Sequence, residues 1–89
     1  MVSKEEFKKE VWDLASEINA KPKQIRVRSM SRKFGSCSPS KIITFNSNLL
    51  ESDCTTRKEA ILHELLHLRY KHHGKLFKIT LKTYLNSSD

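Results

Sequence analysis

His63-Glu64-Leu65-Leu66-His67 is the stretch that decides how this chain is read. Residues four apart on an α-helix stand one above the other on the same face, so the imidazoles of His63 and His67 can converge on a single ion. Glu64 is rotated about 100° from His63. Its carboxylate can therefore reach a water at such an ion without occupying a ligand position.

The surrounding residues support a helix. Thr56-Arg57-Lys58-Glu59 has the form of a capping box, with the Thr56 hydroxyl at the N-cap and Glu59 reaching back. From there Ala60, Ile61, Leu62, Leu65, Leu66 and Leu68 make a broad apolar face, with no helix breaker before Gly74. The bland alternative is a charged helix whose histidines fall four apart by accident. The chemical alternative is a hydrolytic zinc centre, because zinc lowers the pKa of a bound water and polarises a carbonyl while a carboxylate moves the proton.

Such a centre needs a third protein ligand and an open position. Downstream of Glu64 there is no other glutamate and the only aspartate is Asp89, which leaves His72 and His73. On a continued helix they would lie at about 180° and about 280° from His63, away from the ion, so the chain must leave the helix first. Gly74 suits that exit, since glycine takes the left-handed conformation that ends helices. His73 is the better candidate, standing at the separation from His67 found between the last two histidines of H-E-x-x-H-x-x-G-x-x-H; His72 is the alternative. Tyr70 replaces the glycine of that motif, and both methionines, Met1 and Met30, precede the site. No Met-turn can follow, so the chain is not a metzincin.

Outward from the site, Ser3 to Glu6 is a second capping box, and Phe7, Val11, Leu14, Ala15 and Ile18 follow at helical spacing, predicting a helix to about Asn19 with Trp12 widening its buried face. Ile25 and Val27 alternate with Arg26 and Arg28 as a strand does. Residues 31–40 predict a short strand and a turn around Gly35 and Pro39, and Ile42-Ile43-Thr44-Phe45 another strand. Residues 75–85 put Phe77, Leu81, Tyr84 and Leu85 on one face of a last helix that packs on the site helix. The order helix, strands, site helix, helix is an α+β arrangement. With 89 residues and no convincing linker, residues 1–89 are expected to form one domain.

The net charge of +7 includes a local cluster, Arg26, Arg28, Arg32 and Lys33. Such charge can hold phosphates, yet lysines are spread over every helical face and no aromatic-basic recognition motif accompanies them, so nucleic-acid binding is the weaker expectation. Cys37 and Cys54 lack metal-ligand spacing, and nothing assigns Cys37 a base. Without a signal-peptide pattern or a long apolar segment, the expectation is a cytoplasmic protein with reduced thiols and no membrane partner.

Taken together with Arg28-Ser29-Met30-Ser31-Arg32-Lys33-Phe34-Gly35-Ser36-Cys37-Ser38, Ile42-Ile43-Thr44-Phe45-Asn46 and His73-Gly74 followed by Phe77, the site motif resembles the minigluzincins and the related YgjP-like metallopeptidase domain, over residues 24–84. Minigluzincins are miniature zincins similar to the catalytic domains of HtpX-type membrane metallopeptidases. The resemblance implies one Zn2+ per chain on His63, His67 and His73, Glu64 as general base and acid, and a peptide or protein substrate. It also implies that residues 75–89 can act as a latency segment covering the cleft, where Asp89 or the terminal carboxylate would displace water. Gly74 and the apolar stripe after it would let the last helix fold back or exchange with another copy as a homodimer. Phe34 departs from the tryptophan common in YgjP-like sequences, a change of little consequence if the residue is buried. Residues 41–46 are expected to offer an edge for a substrate strand, with Arg69 or Tyr70 as oxyanion donors less expected than as packing residues. Two further functions stay open: a zinc-dependent nucleotide or phosphoester hydrolase using the basic cluster, and a non-catalytic nucleic-acid-binding protein.

Overall fold

In the computed structural model, which describes residues 1–86, the capping box at Ser3 opens helix α1, Lys4–Glu17. The Ser3 hydroxyl accepts from the Glu6 backbone N–H at 3.1 Å, and Glu6 Oε1 accepts from the Ser3 N–H at 3.1 Å. Phe7, Val11, Leu14 and Ala15 are buried, as their spacing predicts. The helix ends at Ile18, and Asn19 takes φ 59°, a left-handed conformation that asparagine tolerates better than most residues. Trp12 does not widen the buried face: it is 44% exposed, one position past buried Val11 and so rotated toward solvent.

The strands β1 (Gln24–Arg28), β2 (Gly35–Cys37) and β3 (Ile42–Asn46) form one mixed sheet in the order β1-β3-β2. β1 runs parallel to β3, with Ile25 opposite Ile43 and Val27 opposite Phe45, and β2 runs antiparallel to it, with Gly35 opposite Phe45. Residues 41–46 therefore do not supply an edge. β3 is paired on both sides, and the edge nearest the site helix is β2. Ile43 and Phe45 are fully buried against the helices, where the Phe45 ring meets Phe7 edge to face at 5.3 Å.

Buried Asn46 ends β3 and organises two neighbours. Its Nδ2 donates to the carbonyls of Met30 (3.0 Å) and Lys33 (2.8 Å), pinning the loop before β2, while its Oδ1 accepts from the Asn48 N–H at 3.0 Å and caps the 3-10 turn Ser47–Glu51.

Helix α2, Cys54–Leu66, starts one turn earlier than the Thr56 box predicts. Asp53 is its N-cap and accepts from the Thr56 N–H at 2.7 Å, so Thr56 lies inside the helix. Both residues can cap, and the earlier one adds helical hydrogen bonds. The exit also differs. His67, Leu68 and Arg69 donate to carbonyls three residues back, a tightened final turn, while Gly74 has no positive φ and accepts from Lys78 at 3.1 Å, opening helix α3 (Lys75–Asn86) instead of closing α2. α3 packs on α2 through buried Phe77, with Leu81, Tyr84 and Leu85 half-buried against the core. Among the described residues no helix is long and apolar enough to cross a membrane.

Candidate metal centre

The last turns of α2 carry His63, Glu64 and His67, and the tight turn after Leu66 sends the chain back so that His73 returns to the same place. One ligand atom from each of His63, His67 and His73 lies within 4.8 Å of the others. Ring centroids are 4.9, 4.8 and 4.6 Å apart, and the Nε2 atoms of His67 and His73 approach to 2.9 Å. A tetrahedral zinc with Zn–N of about 2.05 Å holds its nitrogens about 3.3 Å apart. The His67–His73 pair stands close to that spacing at 2.9 Å, and ordinary side-chain rotation brings the rest of the cluster, all within 4.8 Å, onto such an ion. His72 is exposed and stands outside the three converging imidazoles. Partial desolvation, then the neighbouring His63 and His67, holds the His73 imidazole below its ordinary range, favouring the neutral form a metal requires.

Phe77 forms the wall behind the cluster. It is 2% exposed, and its ring centroid lies 5.3, 5.1 and 4.8 Å from those of His63, His67 and His73. The apolar stripe of α3 marks Phe77 as core, but its contact with all three imidazoles depends on the fold-back between the two helices, which no local pattern announces.

Glu64 is only 6% exposed, and its Oε2 lies 3.2 Å from His63 Nδ1. The carboxylate side chain is tucked under β2 at Gly35. A Cβ at Gly35 would meet the Thr44 carbonyl oxygen at 2.7 Å and Glu64 Cγ at 3.2 Å. Gly35→Ala is therefore expected to destabilise the fold by roughly 1–3 kcal/mol, as overpacking does, and to displace Glu64. Urea unfolding checks this, and an unchanged midpoint would show that β2 moves aside at little cost.

Burial, then the negative charge of Glu64, pushes the Cys37 thiol up, so it is protonated at neutral pH and unsuited to attack as a thiolate. Arg69 donates to the Ile18 carbonyl at 3.1 Å and closes the end of α1, and Tyr70 packs half-buried against the core, the roles favoured for both. Asp89 lies outside the described residues.

Two clefts flank His63 and Glu64. One of about 500 Å³ opens between residues 32–35 and the first half of α2; the other, of about 740 Å³, opens between residues 36–41 and residues 67–71. Phe34 lines the first and is 64% exposed. Phe34 is thus a cleft-lining ring, not a buried one, so burial gives no ground for expecting its identity to be of little consequence.

This geometry agrees with what the chain resembles. The structure is similar to the crystal structure of the metallopeptidase zymogen of Methanocaldococcus jannaschii jannalysin, with a TM-score of 0.78 and 29% identity over 88% of this chain and 80% of that one. No curated protein sequence matches significantly. The YgjP-like metallopeptidase domain model matches residues 2–88. That match spans nearly the whole chain, the fold is shared with a metallopeptidase zymogen, and the three histidines converge as a metal-binding group would; the chain belongs to the YgjP-like metallopeptidase family.

Proposed function

We propose that this chain is a zinc-dependent peptidase that holds one zinc ion through His63, His67 and His73 and uses Glu64 as general base and then general acid. The convergence of the three imidazoles beside a buried carboxylate carries the reading. A set of three nitrogen donors with a fourth position left open suits a catalytic zinc. Zinc, when bound, supplies the Lewis acidity that makes water nucleophilic near neutral pH and polarises a peptide carbonyl. Glu64 does the proton work, taking a proton from the attacking water and delivering it to the leaving amine. Packing under Gly35 keeps its carboxylate from swinging into solvent. Phe77 fixes the imidazole rings from behind, and the substrate backbone pairs with the open edge of β2.

Residues 75–89 act in this reading as a latency segment of a single domain, in line with the zymogen form of the jannalysin structure and with the packing of α3 on α2. A second reading, zinc-dependent phosphoester hydrolysis, draws on a pocket of about 680 Å³ lined by Arg28, Ser29, Ser31, Arg32 and Lys33. One experiment separates them: zinc-loaded full chain and a chain ending at Lys82, each given an unstructured peptide and a nucleoside triphosphate. Peptide cleavage, faster in the shorter chain, is expected. Triphosphate hydrolysis alone would sink the peptidase reading, and equal peptide rates from two folded chains would sink latency.

A further inference from the structure

The two clefts beside Glu64 differ in charge. Toward the N-terminal end of β2, Arg32 and Lys33 are matched by Glu59 and Glu64. Toward its C-terminal end, Lys33, Lys41, Arg69 and Lys71 line the larger cleft, and Glu64 is the one carboxylate among the described lining residues. Arg69 is tied to the Ile18 carbonyl and Lys33 also lines the balanced cleft, which leaves Lys41 on one wall and Lys71 on the other as the long, exposed cations that set the larger cleft apart from the smaller.

Lys41 is held there against the preference of its backbone. It has φ 67°, a conformation that glycine and asparagine adopt at lower cost, and it is fixed by donating to the Ser38 carbonyl at 3.0 Å and accepting from the Lys23 N–H at 2.8 Å. A lysine in a left-handed turn at the rim of a reaction cleft is the kind of strained position that marks function.

We propose, on the peptidase reading above, that this cleft binds an acidic side chain of the substrate on the N-terminal side of the scissile bond, with Lys41 and Lys71 as specificity-determining residues. The direction follows from β2, which runs from the balanced cleft toward the cationic one. Antiparallel pairing is the more stable per residue, so an added peptide runs the opposite way and lays the residues before the scissile bond over Lys41 and Lys71.

The test uses matched peptides with glutamates or glutamines before the bond that is cut, a third with glutamates after it, and the cut position read by mass spectrometry. At low salt, kcat/KM is expected to be about five- to tenfold higher with glutamates before the bond and no higher with glutamates after it, the gain shrinking near ~0.5 M salt. The variant carrying Lys41→Asn and Lys71→Gln should bring the ratio near one, and asparagine at position 41 suits the turn. Lys41→Glu with Lys71→Glu should invert it. A parallel arm measures peptide binding to the Glu64→Gln protein by fluorescence anisotropy, so that absence of any cleavage counts against the peptidase reading while the binding preference still decides this one. Equal or undetectable binding of the two peptides, or a preference unmoved by salt and by the lysine substitutions, would overturn it.

Discussion

Glu64→Gln is expected to lower peptide turnover by about 10²- to 10⁴-fold while zinc content stays unchanged, the range lost when a positioned general acid-base group is removed. Glutamine has the size to occupy the space under Gly35 and still meets His63 Nδ1, where Glu64 Oε2 now lies at 3.2 Å. What it cannot do is take a proton from water. The loss should therefore fall on kcat with KM nearly unchanged. Stability should hold or rise, because a carboxylate that is 6% exposed gives way to a neutral amide that needs less hydration. Parallel measurement of kcat and of metal content checks the assignment. Loss of zinc would make Glu64 a ligand, and turnover within a few fold of wild type would remove it from the proton transfer.

The parts of this arrangement legible in the sequence are those set by local geometry. Helical spacing alone puts His63 and His67 on one face, the Ser3 box starts α1, period-two alternation finds β1, and the β-branched and aromatic run Ile42-Ile43-Thr44-Phe45 finds β3. What was not legible depends on partners distant in sequence. Ile42–Asn46 reads identically as an edge or a central strand, because side-chain composition reports a half-buried strand and not how many neighbours donate hydrogen bonds to it. The capping of α2 was a contest between Asp53 and Thr56, both competent, decided by which gave the longer helix. Gly74 reads as a helix stop because glycine so often is one, yet the helix ends within a tight turn of Leu66 through Arg69 that contains no glycine at all. Gly35 carries a constraint invisible to any motif: a backbone oxygen of β3 and the stem of Glu64 converge where its side chain would be.

His73→Ala is expected to weaken zinc binding by more than about 100-fold, since even an outer partner of a metal ligand costs 10–100-fold when removed and this residue supplies a ring nitrogen to the cluster itself. His72→Ala, one position away and exposed, should bind zinc as wild type does. The two variants are close to isosteric and carry the same formal charge, so a difference between them reports placement and not composition. Folding amplifies the readout. Zinc at 100 times its Kd stabilises the native state by about 2.7 kcal/mol, which for a chain of this size raises Tm by roughly 10–20 °C. Wild type and His72→Ala should show that rise on adding zinc, and His73→Ala should show little of it at the same concentration. Phe77 gives a further reason for the asymmetry: its buried ring, centroid 4.8 Å from that of His73, packs against one side of this imidazole and narrows the rotamers it must give up on binding an ion. Equal zinc-dependent stabilisation of both variants would show that His63 and His67 complete their site with some other group, and the three-histidine centre would have to be abandoned.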